Sequence, residues 1–208
     1  SLTQQIYTVE ELGDAATIQS IDFFKGSSTE CIRTLNIYMV ATNKSLFESD
    51  SDWITITDNN LVFSGIVNFA AEDWTSIVLT TPFIYDGVRN VAIIVDDNTG
   101  SYKSNTPFST FNASSQALRI YHDNTDFDPY QPSSYHGVVE ATKNQIRILK
   151  DETPPCPEPT EFSATACERY LWNGETFTAS GDYPRTFTAA NNCDSVVTLH
   201  LTIHNATN

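Results

Sequence analysis

Basic residues are scarce in this chain of 208 residues: 11 Lys and Arg stand against 26 Asp and Glu, for a formal charge of −15. A surface of one sign cannot neutralise a row of phosphates, which excludes nucleic acid as a partner, and an anionic membrane surface repels it. Long hydrophobic runs are missing as well. No stretch approaches the roughly 18 apolar residues that a membrane-spanning helix needs, so membrane insertion is not expected. No segment carries the apolar stripe of a long amphipathic helix, which excludes an α/β fold. The four cysteines include no C-x-x-C pair, so a zinc ribbon or thioredoxin-like site is excluded. The histidines form no H-E-x-x-H motif, and neither a G-x-S-x-G elbow nor a phosphate-cradling glycine loop occurs. No strand-like stretch carries alternating acids of the kind that line a glycosidase cleft. The expectation is a protein that is not an enzyme.

What the chain has in quantity is Thr, Ser, Val, Ile, Tyr and Phe, the residues that suit a pleated, half-buried surface. Short strand-like runs, "TIQSIDFF", "RTLNIYMVAT", "LVFSGIVNFA", "TSIVLTTPFIY", "NVAIIV", "QALRIY" and "NQIRIL", alternate with turns at the spacing of a β-sandwich. One helical turn is predicted at "TVEELG", where Thr8 and Glu11 have capping-box spacing and Gly13 can close the turn. "SLFES" reads as a second. Four prolines and four acids in "KDETPPCPEPTE" mark a semi-rigid spacer. The expected division is residues 1–150, a linker over 151–161, and a small all-β module over 162–208.

In that module "YLWNGETF" predicts a hairpin, since Asn173-Gly174 suits a type I′ turn. In "VVTLHLTI" the residues Val197, Leu199, Leu201 and Ile203 face one way, which leaves His200 facing solvent. Cys167 and Cys193 flank a Thr/Gly/Asn-rich segment of about 26 residues, and a disulfide between them would contribute on the order of 3.5 kcal/mol. Such a staple implies an oxidising compartment. The alternative is two buried free thiols in a cytosolic protein.

Three loops are dense in acids: "ESDSDW", "VDDNTGSY" and "HDNTDFDPY". Hard cations take six to eight oxygens, which makes Asp96, Asp97, Asn98, Asp50, Asp52 and Asp123 candidate calcium ligands. None of the loops is an EF-hand: after Asp96 the glycine falls one place early and the twelfth position is Pro107. A site would therefore be assembled from several loops. The competing reading is that Asp and Asn simply end strands and favour turns. The stretch from His122 to Gly137 is long for a loop and holds Phe127, Tyr130, Tyr135 and His136. With Tyr102, these are candidate ligand-binding residues, since aromatic faces beside acids and amides hold sugar rings. They serve equally as a plug for the open end of a sandwich. Trp53 and Trp74 read as packing residues.

"QQIYTVEELG", "NIYMVATNKSLFESDSDWI", "LVFSGIVNFAAEDWTSIVLTTPFIYDGVRNVAIIVDDNTGSY" and "NQIRI" together resemble the jelly-roll modules of gingipain-type cleaved adhesins. "ACERYLWNGETFTASGDYPRTFTAANNCDSVVTLHLTI" resembles a short repeat found in tandem in bacterial surface proteins. The resemblance implies a jelly-roll β-sandwich followed by a small disulfide-stapled unit, both part of a longer multidomain chain. It implies an extracellular or cell-surface location, structural calcium, and adhesion to a host glycan or extracellular protein without catalysis. Asp96 and Asp97 match the family's strand-ending acids by position. A calcium-stiffened spacer, or an accessory domain that targets a secreted enzyme, are the rival expectations.

Overall fold

The computed structural model describes residues 1–100, 107–122, 125–151, 159–188 and 194–204. The chain is all-β and divides into two compact units, Ser1–Glu152 and Thr153–Asn208.

The first unit runs β1 (Leu2–Tyr7), one helical turn α1 (Val9–Leu12), β2 (Ala16–Phe24), β3 (Cys31–Thr42), β4 (Leu61–Phe69), β5 (Trp74–Tyr85), β6 (Asn90–Asp97), β7 (Thr110–Ile120), β8 (Val138–Asn144) and β9 (Ile146–Asp151). Six strands form one sheet in the order β4-β3-β6-β1-β7-β8, and three form a second in the order β5-β2-β9. All pairs in this unit are antiparallel. β6 is apolar on both faces, as the sequence suggests, because both faces of the large sheet are covered. On one face the small sheet packs through Ile18, Ile21, Phe23, Ile77 and Leu79 against Leu35, Ile37, Met39, Val91 and Ile93. The other face is covered by two loops. Phe47, Trp53, Ile54 and Ile56 from the first, and Phe127 from the second, close over Leu2, Ile6, Tyr38, Ala92, Ile94 and Leu118.

The two loops hold each other. Trp53 Nε1 donates to the Tyr135 carbonyl (2.9 Å), and the Gly137 amide donates to the Asp50 carbonyl (2.7 Å). A Cβ on Gly137 would lie 2.7 Å from Trp53 Cζ2, so only glycine lets the indole lie this close. The first loop is tied to the sheet by Gln4, which is fully buried. Its amide donates to the Ile54 carbonyl (2.9 Å) and accepts from the Ile54 amide (2.7 Å), as a neighbouring strand would.

α1 forms where the capping box places it: the Thr8 amide donates to Glu11 Oε2 (2.7 Å), and Gly13 follows with φ +71°. The turn expected at "SLFES" does not form. The Phe47 amide donates instead to the Ser115 carbonyl (2.7 Å), a long-range bond that replaces a helical one. Single 3-10 turns lie at Asp58–Asn60 and Pro132–Ser134. Trp53 is buried. Trp74 lies at the edge of the small sheet, edge-on to Phe24 and capped by the Arg147 guanidinium 3.8 Å from its centroid.

The second unit contains β10 (Thr160–Cys167), β11 (Tyr170–Trp172), β12 (Glu175–Phe177), β13 (Gly181–Thr188) and β14 (Asp194–His204). β14 lies between parallel β10 and antiparallel β13, and β11 and β12 form the expected hairpin. Asn173 and Gly174 have φ of 48° and 80°, as a type I′ turn requires. Phe177, Leu199 and Leu201 are its buried core, packed by Tyr170, Trp172, Tyr183 and Ile203. His200 faces away from that core, between Asp182 (2.7 Å) and Glu161 (3.5 Å). No disulfide occurs among the described residues: Cys31 is a buried thiol and Cys167 an exposed one at the end of β10. Cys193 and Cys156 lie outside the described residues, so the small unit is described by its apolar core and not by a staple.

Candidate functional site

Adjacent residues on a strand point to opposite faces, and the end of β6 uses this to separate two carboxylates. Asp97 points to the face covered by the small sheet. It pairs with Arg33 (3.2 Å) and accepts from the Thr99 amide (3.0 Å) and hydroxyl, which closes the turn after the strand. Beside it lies a cavity of about 1220 Å³ at the open end between the sheets. Four of the charged residues that line it pair with one another, Arg119 with Glu140 at 2.6 Å and Arg33 with Asp97.

Asp96 points to the loop-covered face, at the place where the loop cover ends. It is 3 % exposed. One oxygen, Oδ2, accepts from Asn98 Nδ2 (2.7 Å) and, at 3.5 Å, faces Asn36 Nδ2. The other, Oδ1, is buried and has no hydrogen-bond partner. An ionised oxygen without a donor is costly in a low-dielectric site. Burial raises the pKa of this carboxyl, with the nearby Asp126 adding to the effect, while the Asn98 bond opposes it.

Asp96 lines a pocket of about 470 Å³ with Asn36, Tyr38, Asn98, Asp126, Phe127, Asp128 and Tyr130. β3 supplies Asn36 and Tyr38, paired opposite Asp96 and Ile94. Asn98 follows Asp97 at the end of β6, and the loop after β7 supplies the rest. Tyr130 is held there by its amide, which donates to Asp128 Oδ1 (2.9 Å), and by an edge-on contact with Tyr38 whose hydroxyl lies 3.4 Å from its own. The residue remains 38 % exposed.

The candidate residues thus separate. Asp96 and Asn98 share the pocket with Phe127 and Tyr130. Phe127 is 5 % exposed and forms its wall, packed edge-on against Tyr135 at 5.0 Å. Tyr135 belongs to the loop cover: its hydroxyl accepts from the Asp128 amide (3.2 Å). His136 faces Asp50 at 3.2 Å on the surface, away from the pocket lining. Asp52 pairs with Lys44 (2.6 Å) and accepts from the Glu48 amide (3.0 Å). Burial pushes its pKa up, but these two partners outweigh that and hold it below the ordinary value. Asp123 and Tyr102 lie outside the described residues. Asn36, Tyr38, Asp126 and Asp128 join the site without having been singled out from sequence. The alternation of acids in "HDNTDFDPY" was the available signal for the last two.

Among the described residues no three His, Cys, Asp or Glu side chains converge as a metal-binding group. A cation here would rest on Asp96 and on amide, carbonyl and water oxygens, as calcium accepts. The orphaned Asp96 oxygen fits that need. It fits the hydroxyl of a bound sugar equally well. No family model, no curated protein and no solved structure matches the chain.

Proposed function

We propose that this chain is a non-catalytic adhesion module of a secreted or surface-attached protein, and that it holds a sugar ring of a host glycan, or a hydroxyl-bearing group of an extracellular protein, in the Asp96 pocket. The observation that carries this is the buried Asp96 Oδ1, an acceptor without a donor, in a pocket that the Asn36 and Asn98 amides and the partly exposed Tyr130 also line. Sugar recognition uses such a set: carboxylate and amide oxygens take the hydroxyl protons while an aromatic face covers the ring. The two-layer all-β unit is consistent with the jelly-roll adhesin modules that the sequence resembles. A Cys167–Cys193 disulfide and structural calcium belong to the same reading.

A second reading is that calcium in the pocket only stiffens a spacer. The Asp126 charge, which adds to the raised pKa of Asp96, favours it, because a cation relieves like-charge repulsion. One experiment separates the two. The whole chain is applied to an array of glycans and matrix proteins in EDTA and in millimolar calcium, alongside thermal melts in both buffers. The adhesion reading predicts hits that Tyr130→Ala removes while the melt is unchanged. The spacer reading predicts no hits and a melt that calcium raises. Hydrolysis of a bound glycan would refute both.

A further inference from the structure

Outside the pocket, one buried amine packs against an electrophile. The side chain of Lys143, in β8, has no solvent exposure. Its Nζ donates to the Ile6 carbonyl (2.8 Å), to Glu11 Oε2 (2.6 Å) and to Gln116 Oε1 (2.8 Å). The rings of Tyr7 and Phe111 lie 4.6 and 5.3 Å from it. An ion pair with Glu11 accounts for the burial of the charge. The third acceptor is a primary carboxamide, whose carbonyl carbon is an electrophile beside the amine.

Gln116 reaches Lys143 through an irregularity in β7. Asn112 pairs with Thr142 and Ala117 with Glu140, so five steps along β7 face two along β8. Within that bulge Ser115 takes φ +57°, a left-handed conformation unfavourable for serine. A strained bulge that re-aims one side chain onto a buried amine is a feature with a purpose to find.

Amine, primary carboxamide and carboxyl in contact are the parts of an amide aminolysis. In water that reaction fails because the amine holds its proton and ammonia leaves poorly without an acid. Here the reactants are already in contact, which removes the cost of bringing them together, and the carboxyl can carry protons both ways. Burial lowers the proton affinity of Lys143, against the pull of Glu11.

We propose that Lys143 and Gln116 form an intramolecular amide cross-link, with Glu11 as the proton carrier. Glu11 takes a proton from the Lys143 ammonium. The Nζ lone pair attacks Gln116 Cδ and a C–N bond forms. The Cδ–Nε2 bond then breaks as Glu11 returns its proton to Nε2; Nζ passes a second proton to Glu11, which hands it to the departing ammonia, so that Glu11 ends as the carboxylate it began as. The products are a secondary amide and one ammonium ion, with no oxidant or co-reactant consumed. Lys143 borders the large cavity between the sheets, which gives the ammonia a way out. The bond joins the two strands that flank the loop carrying Asp126, Asp128 and Tyr130, with Lys143 at the end of β8 away from that loop.

The test is the intact mass of the purified full chain, before and after incubation at raised temperature, followed by peptide mapping. The expected result is the loss of one ammonia from the sequence mass, with a single branched peptide joining the segments around Gln116 and Lys143. Lys143→Arg should keep its full mass. Because that variant can fail to fold, Glu11→Gln is the second: folded by circular dichroism, yet unlinked. An unchanged native mass after incubation overturns the proposal, as does an ammonia lost only at Asn173-Gly174. A folded Glu11→Gln chain that links as fast as the native one overturns the role given to Glu11.

Discussion

The six-stranded sheet has two buried faces, and they are covered in different ways. A second sheet covers one face, with β-branched and aromatic side chains meeting across a two-layer core. Two loops cover the other, held by one indole, one buried glutamine and one glycine. A loop has no ladder to satisfy its backbone, so it must take partners from side chains and from the other loop. It also ends irregularly. The pocket opens where the loop cover stops, and Asp96 Oδ1, a buried carboxylate oxygen without a donor, is found there; Asp22 Oδ1, on β2 of the small sheet, is a second such oxygen but does not line the pocket. The difference suggests that the sheet-covered face makes the module stable and that the loop-covered face gives it a site.

This contrast can be broken from either side. Trp53→Ala removes a buried indole and its bond to the second loop, and should cost about 3–5 kcal/mol in urea unfolding. It should also disorder the pocket wall. Ile21→Ala, on the other face, should cost about 2–5 kcal/mol and leave array binding by the folded fraction intact. Gln4→Ala leaves the Ile54 amide and carbonyl without their partner and should cost about 1–3 kcal/mol by the same measurement.

Smaller effects come from titration. A carboxyl whose folded pKa is raised contributes stability below the ordinary carboxylate range and loses it as pH rises through the raised value. Burial raises Asp96, so its own contribution to stability should fall as the pH rises from the ordinary carboxylate range, and Asp96→Asn should remove that contribution from a melting-temperature profile. His200 gives the smallest effect. The Asp182 hydrogen bond raises its pKa, with Glu161 adding to it, so its contribution is present in acid and is lost as pH rises through the folded value. His200→Gln should remove a slight slope near neutral pH and no more, because the ring is exposed.

The same contrast explains what could be read from sequence. Strands β2 to β6 stand out because β-branched and aromatic residues in short runs are the direct imprint of sheet packing. β1 does not, since Gln4 and Gln5 are polar in composition yet buried, their amides bonded to Ile54 and Asn144. β8 hides for the same reason: Lys143 is a buried lysine, legible only once Ile6, Glu11 and Gln116 are seen around it. The acid loops were visible as loops, but which acids meet depends on contacts distant in sequence. Asp96 and Asp97 look alike in the sequence and differ only in the face each one takes. Asp50 and Asp52 find partners in Lys44, Glu48 and His136, which no local pattern reveals.

The most direct test of the account is the glycan and matrix-protein array run with the native chain and Asp96→Asn side by side, at matched folded concentration. Asn keeps the shape of Asp96 but replaces one acceptor with a donor. The account predicts that Asp96→Asn melts no lower than the native chain and loses the array signal at least tenfold. A variant that binds as the native chain does would contradict it, and would leave the Asp96 pocket as a gap in the loop cover.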